Sequence, residues 1–254
     1  MKKSFLRALS AHRNRSAAAM MVSLGLMGVT SCNFSAPDAS LEDGITPASG
    51  SPQVVVTSTI LANLVETVGG DAADVDSLLE PGDDPHIYEP TPQDTVTLEE
   101  ADLVFYNGYN LEPALIRIIE GTSTEVEKVA LAEGVTPLSF QYDGQTEPDP
   151  HVWGNVENAI AMVETIRDTL TGLNPEAEAT YRANAEQLMA ELDQLDGWIE
   201  TQIATIPPEQ RLLVTTHDAF QYYTTAYGLE MLGTLIGIST EEQPSAQTVQ
   251  RLVE

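Results

Sequence analysis

The chain has 254 residues, with 39 acidic against 11 basic side chains, a formal net charge of −28 at pH 7 and a single cysteine. One cysteine excludes a disulfide framework and argues against thiolate cofactor chemistry. Acidity on this scale repels nucleic-acid phosphates and anionic headgroups, which excludes a nucleic-acid partner.

Lys2, Lys3, Arg7, Arg13 and Arg15 precede the apolar run SAAAMMVSLGLMGV, which is too short to span a bilayer comfortably. The run leads into VTSC, ending at Cys32, and this arrangement resembles a bacterial lipoprotein signal. It predicts a signal peptide over residues 1–31, with cleavage before Cys32 and acylation of its thiol. NFSAPDASLEDGITPASGSP has no apolar periodicity and predicts a flexible tether over 32–52. All 39 acidic residues but only six of the 11 basic ones lie beyond residue 31, so residues 32–254 carry −33, spread along the chain as a solvated coat.

The folded body is expected to begin near Gln53. QVVVTSTI is a β-branched strand, and Leu61, Leu64, Val65 and Val68 then follow at helical spacing up to the stop Gly69-Gly70. ADVDSLL alternates like a strand and runs into PGDDPHIYEPTPQD, where Pro85, Pro90 and Pro92 forbid helix and central strand. That segment reads as a stiff exposed loop presenting His86. DTVTLEEADLVFYNG predicts a helix entering a buried strand at 103–106, LEPALIRIIEG a short helix, and EKVALAEG a strand-like run. This alternation argues for a parallel, doubly wound α/β sheet.

SFQYDGQTEPDP reads as a loop leading to His151 at a helix entrance, and Ala159, Val163, Ile166 and Leu170 mark that helix's buried stripe. Asn174 and Pro175 open a helix over 175–206, about 48 Å long at ~1.5 Å per residue, with Asn174 as its N-cap. Its narrow stripe of Tyr181, Ala185, Leu188, Leu192, Leu195 and Ile199 predicts a helix laid across the outside of two lobes. After Pro207-Pro208, residues 212–215 read as a buried strand followed directly by His217. A helix ending at Gly228, a second strand and the start of another helix complete the chain.

Apart from His12 in the expected signal, the histidines are His86, His151 and His217, each between a strand and a helix. A lone histidine in a loop is ordinarily a surface residue or a helix cap. Three at strand ends point to one metal site, because the carboxyl ends of strands in open α/β sheets converge on the ligand crevice. Imidazole donors suit zinc, copper, iron and nickel, and carboxylate shifts the preference toward manganese.

GDDPHIYEPTPQD, ADLVFYNGYNLEP, DPHVWGN, NPEAEATYRANA and TTHDAFQYYTTAYGLEMLGTLIGISTEEQPSAQTVQ together resemble the zinc and manganese solute-binding proteins of ABC importers, the TroA- and ZnuA-like receptors. The likeness covers about residues 54–252. It implies two doubly wound α/β lobes joined by one rigid helix, here 53–173 and 207–254 with 174–206 between them, the second lobe incomplete in this chain. It also implies that His86, His151 and His217 hold the ion, with a fourth ligand expected beyond Glu254. Histidine at the third position favours zinc, while the absence of a histidine-rich stretch before His151 favours manganese. The resemblance implies a monomeric receptor, lipid-anchored outside the cytoplasm, that hands its ion to an ABC permease and performs no catalysis. Two other readings remain open: a zinc-dependent hydrolase with Asp84, Asp218 or Glu89 as base, and a surface adhesin.

Overall fold

The structure, a computed structural model, describes residues 50–123, 125–142 and 144–253. Cys32, the expected signal peptide and the tether as far as residue 49 lie outside the described residues. Four strands, β1 (Gln53–Val56), β2 (Asp74–Ser77), β3 (Leu103–Tyr106) and β4 (Glu127–Ala130), form a wholly parallel sheet in the order β2-β1-β3-β4. The apolar runs VVV and LVF occupy the two central strands, and the mixed sequences DVDS and EKVA take the edges.

Pairing of Val54 with Leu103 and Val56 with Phe105 puts these four on one face, since side chains alternate along a strand. That face packs on α1 (Thr59–Gly69), α4 (Val156–Leu173) and the start of α5 (Glu178–Ala204), through Leu61, Val65, Met162, Ile166 and Tyr181. Val55 and Val104 point the other way, onto Leu98 of α2 (Pro92–Glu100) and Leu115 and Ile119 of α3 (Pro113–Gly121). α2 starts inside the proline segment, at Pro92, because a proline at the first helical position gives up no intrahelical bond, and a reciprocal cap fixes that start: Thr91 Oγ1 accepts from the Asp94 amide at 3.4 Å, and Asp94 Oδ2 accepts from the Thr91 amide at 2.6 Å.

The predicted α4 stripe is buried in full. The long helix is shorter than expected. A 3-10 turn over Pro175–Ala177 precedes α5, so Asn174 does not cap it. Instead the Asn174 amide closes α4 on the Leu170 carbonyl. The 27 residues of α5 give a length of about 40 Å. Of its expected stripe only Tyr181 and Ala185 are buried, while Leu195 and Trp198 in the second half are exposed.

Two further elements differ from expectation. SFQYDGQTEPDP is largely a hairpin, with β5 (Ser139–Tyr142) antiparallel to β6 (Gln145–Pro148) and Gly144 at φ 76° in the turn. The dipeptide D-G between alternating residues was its signal. The strand β7 (Leu212–Thr215) pairs in parallel with β8 (Glu230–Thr234), but it is not buried: Leu212 is 46 % and Val214 50 % exposed. Among the described helices, α6 (Gln221–Tyr227) and α7 (Ala246–Val253) pack against β8, which leaves the alternate face of β7 open. Residues 48–254 form one compact unit. Among the described residues no helix is long and apolar enough to cross a membrane.

Candidate metal centre

The proline loop between β2 and α2 does not hold its histidine out to solvent, as the sequence suggested. His86 is only 8 % exposed. Asp84 Oδ1 accepts the His86 amide hydrogen at 3.0 Å, a local turn that points the ring inward. The same device recurs at the second site, where Asp149 Oδ1 accepts the His151 amide at 2.9 Å. Pro85 and Pro150 fix the residue between each aspartate and its histidine. Asp149 does more, since the same oxygen lies 2.9 Å from His151 Nδ1. A carboxylate oxygen accepts, so Nδ1 carries the hydrogen and Nε2 keeps a free lone pair. The third ring, His217, lies two residues after β7 and is half-buried, with its carbonyl accepting from Thr215 Oγ1 at 2.8 Å.

These segments bring the three imidazoles together. His86 Nε2 and His151 Nε2 are 3.2 Å apart. Ring centroids are separated by 5.2 Å for His86–His151, 5.3 Å for His151–His217 and 5.8 Å for His86–His217. One nitrogen from each ring lies within 4.8 Å of the other two, the only such ligating group of three found among the described residues. Two nitrogens ~2.0–2.1 Å from one ion at a tetrahedral angle would sit roughly 3.3 Å apart, so the His86–His151 spacing fits a shared first-row cation. A cavity of about 520 Å³ opens beside the rings and is walled by Ser58, Trp153 and Phe220 among others.

Electrostatics keep the centre ready for a cation. Burial, reinforced by the charge His151 would carry, pushes His86 down to about 4. His217 is likewise lowered, by burial first and then by His151. Burial, followed by the Asp149 charge, raises the Asp218 carboxyl. Of the other acids noted beside the histidines, Asp84 is engaged with the His86 amide and Glu89 is exposed.

Sequence reasoning missed the groups behind the rings. The spelling D-P-H carries more than backbone stiffness: the aspartate two residues before each histidine holds its amide. Asn107, at the end of β3, donates from Nδ2 to the Pro150 carbonyl at 3.0 Å and supports the His151 turn from beneath. Its amide donates at 2.6 Å to Oε1 of Glu112, which also accepts from Thr57 Oγ1 at 2.8 Å. Glu112 is 1 % exposed, and burial raises its carboxyl to about 7. A carboxyl raised in the fold stabilises the protein below its unfolded value near 4.5, and that contribution is lost as pH climbs through 7. The depressed His86 acts oppositely, its contribution being lost as pH falls from the ordinary imidazole range through about 4. Glu112→Gln is therefore expected to make the metal-free protein gain stability relative to wild type between pH 4.5 and 7, by about 3 kcal/mol across that window. Urea denaturation at several pH values checks this; a difference that does not vary with pH rules it out.

Residues 54–254 match the family described as zinc-uptake complex component A, periplasmic. The chain is 35 % identical over 215 residues to the manganese-binding lipoprotein MntA of Halalkalibacterium halodurans, covering 84 % of this chain and 70 % of that protein. It is 35 % identical over 211 residues to the manganese ABC transporter substrate-binding lipoprotein PsaA of Streptococcus pneumoniae, covering 80 % and 67 %. Among solved structures, the periplasmic zinc binding protein TroA from Treponema pallidum superposes with a TM-score of 0.75 at 33 % identity, over 80 % of this chain and 73 % of that one.

Proposed function

The chain belongs to the zinc-uptake complex component A family, and from that premise we propose an extracytoplasmic receptor that captures a divalent transition metal, zinc or manganese, and delivers it to an ABC-type permease. It is a transport protein, not an enzyme, and the ion is cargo. The observation that carries the reading is the gathering of one nitrogen each from His86, His151 and His217 within 4.8 Å. We assign these three as the protein's metal ligands, with the residues of 53–173 supplying the first two and those of 207–254 the third. The helix region 174–206 spans the two lobes. Cys32 is the proposed point of lipid attachment, which would keep a monomeric receptor beside its permease.

Imidazoles bind metal only when neutral, so protons compete with the ion. The sequence alone places that competition near pH 6, the range of a free imidazole. Burial lowers His86 to about 4 and depresses His217 as well, so the onset moves toward acid. Zinc affinity, followed by competition with a chromophoric chelator, should hold nearly level from pH 8 to 6 and then fall steeply toward pH 4. A profile that stays level to pH 4 would count against imidazole ligation altogether.

A further inference from the structure

Given the three-imidazole reading above, on which this step rests, His86 and His151 are pinned by their own aspartates, whereas among the described residues no carboxylate is hydrogen-bonded to His217. Its backbone is tied to the β7–β8 segment, by Thr215 Oγ1 donating to the His217 carbonyl and by the Asp218 amide donating to the Gly237 carbonyl, and on its other side it leads into α6, the helix four residues further on. Tyr222, on the first turn of α6, is 3 % exposed. Its hydroxyl donates to the Asp149 carbonyl at 2.8 Å and accepts from the Leu138 amide at 2.9 Å. Asp149 is the residue whose carboxylate holds the His151 ring and amide. One phenol therefore ties the helix behind the third imidazole to the aspartate behind the second. Packing closes the same seam: a Cβ on Gly154 would meet the Tyr223 amide nitrogen at 3.4 Å and Tyr222 Cβ at 3.5 Å, which leaves no room beyond a methyl.

We propose that Tyr222 is a positioning residue for metal capture, fixing the approach of His217 to His151 by locking α6 onto the His151 turn. The hydroxyl contacts no metal ligand itself; its effect passes through backbone. Burial raises its ionisation to about 12, so the O–H remains available to donate throughout the range in which the receptor works. Without it a buried carbonyl and a half-buried amide lose their partners, and α6 is held by side-chain packing and by the bond from Tyr227 to Asp196 at its far end. His217 would then sample positions away from the other two rings, and the ion would be bound by two imidazoles for part of the time.

The test is a double-mutant cycle on zinc affinity, using Tyr222→Phe, His217→Ala and the pair, with Tyr181→Phe as a control. Tyr181 also donates a buried hydroxyl, to the Ala72 carbonyl at 2.7 Å, but away from the centre. Tyr222→Phe should weaken zinc binding about tenfold, the scale of groups that orient metal ligands. In the His217→Ala background the same change should cost less than about twofold, because there is no third ring left to position. Tyr181→Phe should lower thermal stability without changing affinity. If His217→Ala leaves affinity unchanged, the three-imidazole reading fails and takes this inference with it. If His217→Ala weakens binding but Tyr222→Phe is silent, or the two effects simply add, the reading survives and the role of Tyr222 is refuted. Should Tyr222→Phe not fold, Gly154→Leu, which wedges α6 off the same turn, must show the same non-additivity with His217→Ala; additive effects there refute the proposal equally.

Discussion

His151→Ala is expected to lower zinc affinity by at least about 100-fold, measured by chelator competition at pH 7.5. His151 is 2 % exposed, the most deeply set of the three rings, and lies close to both others. A four-ligand zinc site provides about 10–16 kcal/mol of binding free energy, so each ligand accounts for roughly 3 kcal/mol, or two decades of affinity. The substitution removes the ring that Asp149 has already oriented, and no other side chain in the group can take its place. The Asp149 oxygen keeps the amide of residue 151, so of its two contacts with that residue one survives. A variant that folds and binds zinc within threefold of wild type would contradict the assignment of this ligand.

Phe105→Ala is expected to cost about 3–5 kcal/mol of folding stability, read from urea denaturation of the metal-free protein. Phe105 is fully buried on the central strand β3, on the face shared with Val54, Val56 and Leu103 and covered by α1 and α4. The cavity left behind is lined by strands and helices that are fixed from both sides, so collapse around it is limited. The ligand set itself is untouched. Zinc at 100 times its dissociation constant should restore about 2.7 kcal/mol in the variant as it adds the same amount to wild type. A loss under 1 kcal/mol would show that the strand is less constrained than its burial indicates. A smaller metal increment in the variant would show that the core and the centre are coupled.

The parts of this fold that could be read from sequence are those where one local signal dominates. VVV and LVFY are apolar on both faces, as central parallel strands must be, and the stripe Ala159, Val163, Ile166, Leu170 admits only one packed face. The three histidines could be singled out because they are so few and because each lies in a connection between a strand and a helix. What stayed hidden was set by contacts between distant segments. Leu212 and Val214 carry the composition of a buried strand, yet burial depends on which helices arrive, and those described cover β8. His86 sits in a polar, proline-rich stretch that looks solvated, but its ring is buried by the His151 and His217 segments, 65 and 131 residues further along the chain. Glu112 reads as an ordinary surface acid ahead of a helix, and only the meeting of β1, β3 and α3 encloses it. The hairpin was missed for a different reason: its strands are short and polar, and the D-G turn between them was passed over.

The burial of His86 and His217 also bears on energy coupling. Ligands that titrate near neutrality discharge protons when they take up a cation, and such a site answers to the acidity of its surroundings as well as to its cargo. Because burial lowers both rings below the ordinary imidazole range, His86 to about 4, these two should liberate fewer hydrogen ions on loading near pH 7 than free imidazoles would, and their part of the measured heat should depend correspondingly less on the ionisation enthalpy of the buffer. Capture is to that extent less sensitive to acidity, and the work of moving the ion inward is left to the permease.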